Sequence, residues 1–419
     1  MAGDKIRLIF SFDALLSNMT EPAMDIDLER LVTDAVASLR PSLLALSRDL
    51  FEHPELSLQE TRSTTVLQEM LKKEGFGVTA GVAGLPTSFV ATRRGARQGP
   101  RIAFLAEYDA LPEIGHACGH NLIAAAGVGA GIALGRLAER LSGEILVIGT
   151  PAEETVGGKC VMVREGVFQG VDAAMMVHPG SEWRVEADSL ACITLEVTFT
   201  GLEAHAVAWP ERGINALDAL IQLFIAKDML LKRLGRDVRI PGVILEGGIR
   251  PNIVPARAVG HFSLRALDSP SRDRVRTEFE RAVEGIATAS GCGWSIRATD
   301  EPYDDLVTNK AMARAFRRHL NAQGIQTVEG PRHNKGSLDM GNVSRAVPSV
   351  HPFVAICDSD VGSHSRAFAN ASVSPRGEEA LMIAVRAMAL TGLELLTAPA
   401  LLGEARAEFA ARASSMSAR

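Results

Sequence analysis

Between residues 101 and 177 short apolar runs alternate with helical patterns, and this rhythm restricts the fold more than any other feature. Arg101 to Glu107 (RIAFLAE), Glu144 to Thr150 (EILVIGT) and Asp172 to Val177 (DAAMMV) are short runs, apolar enough to be buried strands. Asn121 to Leu141 and Lys159 to Glu165 lie between them and read as helices. Strand, helix, strand, helix in this order predicts an α/β fold: a mostly parallel sheet with helices on both faces. Helical spacing also runs from Leu28 to Glu74, broken at His53-Pro54-Glu55. It resumes after Asp304, with a helix around Ala311–Leu320 and a strand near Ser349–Ala355.

From about residue 190 the pattern changes. Ile193, Leu195, Val197 and Phe199 alternate with Thr194, Glu196, Thr198 and Thr200, the signature of a half-exposed strand. A helix (Ile214–Leu234), two strands (Gly242–Leu245 and Ala258–Leu267), a second helix (Ser271–Ala289) and a last strand (Gly293–Ala298) follow. The order β-α-β-β-α-β is the ferredoxin-like split pattern. The expected organisation is a discontinuous α/β domain over 27–189 and 303–400, an inserted α+β domain over 190–302, and an N-terminal arm over 1–26. At 419 residues the chain has room for both domains.

Lys and Arg total 44 against 50 Asp and Glu, a net charge of −6, which supplies no global field for nucleic acid. No uncharged apolar run reaches the length of a membrane span, and Asp13 interrupts the first apolar stretch, so neither a span nor a signal peptide is expected. Five widely spaced cysteines, an odd number, argue against a disulfide framework and for a reducing, cytoplasmic setting. Cys160, Cys192, Cys292 and Cys357 read as small core residues, and His319 and His333 as solvated. Gly127-Val128-Gly129-Ala130-Gly131 lies within a helix, which favours close packing over nucleotide binding.

The chemistry-bearing residues follow the strands. Cys118-Gly119-His120 comes after the first, Glu153-Glu154 after the second, and His178 after the third. Parallel strands bring their C-terminal ends to one edge, where open α/β sheets bind ligands. Cys-x-His by itself is a chance pattern, Glu-Glu by itself a solvated pair, and a lone His a hydrogen-bonded strand end. Three such features at successive strand ends point to a transition metal. Adjacent glutamates can both reach one centre if they sit on a turn, one binding metal and the other taking a proton from water.

These residues sit in longer motifs. Ala106-Glu107-Tyr108-Asp109-Ala110-Leu111-Pro112 precedes Gly115-His116-Ala117-Cys118-Gly119-His120-Asn121, and Pro151-Ala152-Glu153-Glu154 and Val177-His178-Pro179 follow. Further on come Gly201-Leu202-Glu203-Ala204-His205-Ala206, Gly213 to Ala219, Pro251-Asn252-Ile253-Val254-Pro255 and Asp339 to Ser344. Together they resemble the aminoacylase/carboxypeptidase metallohydrolase superfamily, in the branch of aminobenzoyl-glutamate and indole-acetyl-amino-acid amidohydrolases. The resemblance implies metal ligands at Cys118, His120, Glu154, His178 and His364, and a general base at Glu153. It also implies an orienting acid at Asp109, a lid histidine at His205 that reaches a partner's active site, and a substrate neighbour at Asn252. Two departures stand out: Asn121 where many relatives carry Asp, and Arg250, whose guanidinium could hold a carboxylate. Arg265 and His261, on one face of an expected strand, are a second anion-binding candidate.

The expected activity is metal-dependent hydrolysis of a C–N bond in a small carboxylate-bearing substrate: an N-acyl amino acid, an aminobenzoyl-glutamate-like amide or a dipeptide. One or two divalent ions, Mn or Zn, are expected per subunit, in a homodimer formed through the inserted domain, with no nucleic-acid or membrane partner. The resemblance extends to 5-nitroanthranilate aminohydrolase, which makes ammonia release from an aromatic amine the alternative. A non-catalytic, metal-stabilised binding protein is a further alternative, against which Glu153 argues, since a structural metal site needs no free base.

Overall fold

The computed structural model describes residues 25–330 and 336–417. His333 and all but the end of the arm expected over 1–26 lie outside them. In chain order the elements are α1 (Ile26–Glu52), α2 (Thr61–Lys73), β1 (Gly77–Ala80), β2 (Phe89–Arg94), β3 (Arg97–Ala106), α3 (His120–Gly135), β4 (Ser142–Gly149), α4 (Gly158–Arg164), β5 (Ala173–Met175) and β6 (His178–Gly180). A second group comprises β7 (Ala191–Thr200), α5 (Ala216–Leu234), β8 (Gly242–Glu246), β9 (Arg257–Ala266), α6 (Ser269–Ser290) and β10 (Gly293–Ala298). Then come α7 (Lys310–Asn321), α8 (Met340–Ala346), β11 (Ser349–Val350), β12 (Phe353–Ala355), α9 (Arg366–Ser372), α10 (Pro375–Thr397) and α11 (Pro399–Ser417).

The larger sheet has six strands in the order β1-β2-β4-β3-β5-β11. β4, β3, β5 and β11 are parallel neighbours; β1 and β2 form an antiparallel edge that carries no clear strand signal in the sequence. Period-two alternation gives the central strands two buried faces. Ile102, Phe104, Ile145 and Val147 point into the cluster formed with α1, α3 and α10, whereas Ala103, Leu105, Leu146 and Ile148 point toward α4 and α8. Truncating a buried aromatic such as Phe104 to Ala costs about 3–5 kcal/mol.

α3 is buried along its whole length. Its glycines allow that: a Cβ on Gly127 would lie 2.2 Å from the Leu105 carbonyl oxygen. The helix ends at Gly135, earlier than the apolar pattern suggests, and the chain tightens into a short turn at Ala138–Arg140. The strand expected over 349–355 is two strands. Pro352 lacks an N–H and its carbonyl accepts from the His178 N–H at 2.8 Å, so β11 pairs with β5 and β12 with β6. His319 is a correction: it is buried in α7, with Nε2 3.1 Å from Glu394, because the basic face of that helix meets an acidic residue of α10. α10 is long and apolar enough by composition to cross a membrane, but it packs as a core helix.

Residues 191–298 form a four-stranded antiparallel sheet, order β10-β7-β9-β8, with α5 and α6 on one face. The alternation of β7 is borne out: Ile193, Leu195, Val197 and Phe199 are buried under the helices, and the residues between them are not. Asn215 caps α5, accepting from the Leu217 and Asp218 N–H groups, and Asp268 caps α6. The two chain crossings between the sheets are tied together: Cys192 and Tyr303 exchange N–H to carbonyl hydrogen bonds, each 2.9 Å.

Candidate metal centre

The loop after β3 turns at Gly119, whose φ of +80° suits glycine; a Cβ there would also lie 2.6 Å from the Pro179 ring. That turn starts α3 at His120 and leaves Cys118, two residues before it, facing the same cleft. His120 Nδ1 meets two acceptors, the Asp109 carbonyl at 2.8 Å and Asp109 Oδ1 at 3.0 Å, so the ring proton resides there and Nε2 offers its lone pair. The other carboxylate oxygen of Asp109 accepts from the Glu154 N–H at 3.0 Å and from Ser57 at 2.8 Å. One buried acid therefore orients two donors. Asn121 anchors the loop differently from an aspartate: its side-chain N–H₂ donates to Ser47 of α1, 3.0 Å to the hydroxyl.

Glu153 and Glu154 lie in a turn over residues 153–156, so both reach one centre. The turn is entered through Ala152, a non-glycine residue at φ +62°, held there by a hydrogen bond of 2.9 Å from its N–H to Glu60. The Tyr303 hydroxyl donates to the Glu153 carbonyl at 2.6 Å. His178 opens β6; its Nδ1 donates to the Pro179 carbonyl at 2.8 Å, which turns Nε2 toward Cys118 Sγ at 3.9 Å. His364 reaches in from the loop before α9 at φ +61°, with Nε2 3.4 Å from Cys118 Sγ and 3.7 Å from Glu154 Oε1.

Two donor triads thus meet at one sulfur: Cys118-His120-His178 and Cys118-Glu154-His364, each with ligand atoms within 4.8 Å of one another. Thiolate, imidazole and carboxylate are the donor set of a divalent transition metal. The buried His120 Nε2, Glu107 Oε1 and Glu154 Oε1 have no hydrogen-bond partner. Buried polar atoms that converge without a hydrogen-bond partner fit a cation there.

The electrostatics agree. Burial and the neighbouring carboxylates of Glu107, Asp339 and Glu154 push Glu153 well above the ordinary carboxyl range. Burial pushes the Cys118 thiol up to about 12, against the pull of His120. Burial also raises Asp109, but His120 and the Glu154 N–H outweigh it and hold the carboxyl below its ordinary value. A bound cation favours the thiolate and carboxylate forms.

The centre opens into a cavity of about 580 Å³, walled on its far side by Cys192, Thr194 and Arg265 of the second sheet. Cys192 is therefore cavity wall and not core, whereas Cys160, Cys292 and Cys357 are buried, and all five cysteines are free. Arg250 is exposed and stands outside the lining of this cavity. His205 and Asn252 are likewise exposed on the second sheet's unit, joined by the hydrogen bond from the Ala206 N–H to the Asn252 carbonyl. His261 pairs with Glu196 at 3.1 Å, leaving Arg265 as the cavity's arginine. Glu60, Lys159 and Tyr303 escape a reading by sequence, because a single buried polar residue carries no periodic signal.

Residues 103–392 match the model of peptidase family M20/M25/M40. The chain is 32% identical to the Xaa-Arg dipeptidase of Mus musculus, over 93% of this chain and 94% of that protein. It is also 32% identical to a p-aminobenzoyl-glutamate hydrolase polypeptide of Escherichia coli, covering 71% and 66% respectively. Among solved structures, a dinuclear metal binding peptidase of the M20 family from Bacillus subtilis superposes with a TM-score of 0.68 at 22% identity, over 86% of this chain and 99% of that one. The chain belongs to peptidase family M20/M25/M40, and is a metal-dependent hydrolase.

Proposed function

We propose that this chain hydrolyses the amide bond of small N-acyl amino acids, aminobenzoyl-glutamate-like amides or dipeptides, with Cys118, His120, Glu154, His178 and His364 as metal ligands. The observation that carries the reading is Glu153, a buried carboxylate that takes no part in the two triads at Cys118, though it stands near Glu107 and His120; it shares a turn with Glu154 and faces a cavity of small-molecule size. Mn or Zn, as one or two ions, would polarise the water and the scissile carbonyl when bound. Glu153 takes the water's proton and passes it to the leaving nitrogen. Its high proton affinity suits a group that must hold the proton between those events. Asp109 keeps His120 in one tautomer throughout.

The substrate carboxylate goes to Arg265, which lines the cavity, in preference to Arg250, which does not. The names of the relatives, a dipeptidase and an aminobenzoyl-glutamate hydrolase, support substrates with an amide near a carboxylate. His205, with Asn252, acts in the cleft of a second copy, where its imidazole stabilises charge on the substrate oxygen. That copy docks through β8 and α5. β8 is a sheet edge whose Val243 and Leu245 are 57% and 56% exposed, and Met229 of α5 is 62% exposed. The limits of the two domains are those read from the sequence, 27–189 with 303–400, and 190–302. Five free cysteines support a cytoplasmic setting.

The test is a substrate panel on chelated protein reloaded with Mn or Zn. N-acyl amino acids, dipeptides and aminobenzoyl-glutamate are scored for released amine, and 5-nitroanthranilate for released ammonia. Metal-dependent amine release is expected. Ammonia from the nitroaromatic with no amine from any amide would overturn the substrate class.

A further inference from the structure

Behind Glu153 lies a set of charges that the proposed reaction leaves unused. Glu107 follows β3, Lys159 lies in the first turn of α4, and Asp339 precedes α8. Lys159 Nζ stands 2.6 Å from Glu107 Oε2 and 2.7 Å from Asp339 Oδ1, and the Lys159 N–H donates to Asp339 Oδ2 at 2.9 Å. All three side chains are buried to within 1% of complete. Two carboxylates around one ammonium leave a negative charge without a counter-ion in the interior, an expensive arrangement unless another cation is near.

The surplus charge faces a definite place. Glu107 Oε1 lies 3.0 Å from His120 Nε2, yet neither atom has a hydrogen-bond partner, so the contact is not aligned as a hydrogen bond. With Nδ1 given to Asp109, Nε2 is the ring atom turned toward Glu107 Oε1. An ion shared by the two atoms accounts for that spacing. Two ligands at right angles, each about 2.1 Å from one ion, are about 3 Å apart. Glu107, His120 and Glu153 also offer ligand atoms that lie within 4.8 Å of one another.

We propose that Glu107 is a further ligand of the metal centre. Its Oε1 joins His120 Nε2 on the same ion, while Lys159, braced by Asp339, holds Oε2 and fixes the tilt of the carboxylate. The added hard oxygen raises the coordination number and shifts preference from Zn toward Mn. The inference rests on the metal-dependent reading above.

The test uses metal alone. Chelated wild type, Glu107→Gln and Asp339→Asn are titrated with Mn and with Co against a competing chelator, and the cobalt visible spectrum is recorded. Glu107→Gln is expected to weaken one bound ion at least tenfold and to intensify the cobalt bands as coordination drops. Asp339→Asn, which keeps the Glu107–Lys159 pair, is expected to stay within about threefold of wild type. Glu107→Asp, which keeps the charge but withdraws the oxygen by one methylene, serves if the glutamine variant does not fold, and the same loss is expected. Wild-type affinity and spectrum in a folded Glu107 variant would overturn the proposal and leave the hydrolase reading standing. A wild-type chain that takes up no ion would overturn both.

Discussion

At the C-terminal edge of the parallel sheet, Glu107, Asp109, His120, Lys159 and Asp339 are charged or polar and buried; on the second sheet, Val243, Ile244 and Leu245 are apolar and exposed. Each region inverts the ordinary distribution of residues, and each inversion calls for a different remedy. Buried donors whose lone pairs converge call for a cation. An unpaired apolar edge calls for another protein surface. The second unit touches both: it walls the cavity with Arg265, and its outer edge is the surface proposed above to dock a copy.

The sharpest separation of the two regions comes from Glu153→Gln. It should lower kcat by roughly 10²–10⁴ while metal content, by elemental analysis, and oligomeric state stay at wild-type values. Unchanged kcat would remove Glu153 from the reaction. Next in size, Asp109→Asn should weaken metal binding about 10–100-fold in chelator competition, since it loosens the grip on His120 and on the Glu154 peptide. Equal affinity would mean that Asp109 serves only the fold.

The converse break is Ile244→Lys, which places a charge on the exposed edge. It should shift the sedimentation coefficient to that of a monomer and lower activity with it, because His205 would lose its partner cleft, while metal affinity is retained. A variant that sediments like wild type would place the interface elsewhere. The smallest effect is acid sensitivity of the first region's surface. The Arg62 guanidinium holds Asp49 below its ordinary value against burial, and Arg136 does the same for Glu74. A lowered carboxyl stabilises above its unfolded pKa, near 4, and loses that stabilisation as pH falls through the folded value. Thermal melts should therefore soften below pH 4, and Arg62→Gln should reduce the softening by under about 1 kcal/mol. Melts independent of pH down to 3 would discount both pairs.

Much of this was legible because it is periodic or ordered. The continuous apolar runs of β3 and β4, the switch to half-exposed alternation at β7, and the helix-strand order of residues 191–298 all follow from the spacing of apolar residues. The candidate donors Cys118, His120, Glu154 and His178 were legible because they come in the loops or at the ends of successive strands. What escaped was set by single contacts: His319 looks solvated until Glu394 of α10 arrives beside it, and Cys192 looks like core until its strand is seen to line the cleft. Arg250 and Arg265 are alike in sequence, and only the register of β9 against β7, which sets Arg265 opposite Cys192, turns one of them toward the cavity.

The sequence by itself determined the layers, the inserted pattern and the set of candidate donors, because those depend on local periodicity and on which residues follow each strand. The tertiary structure alone decided the pairing of Lys159 with Glu107 and Asp339, residues 52 and 180 positions apart along the chain. Interactions at that separation exist only once three elements have packed, because Coulomb energy depends on distance in space and not on spacing along the chain.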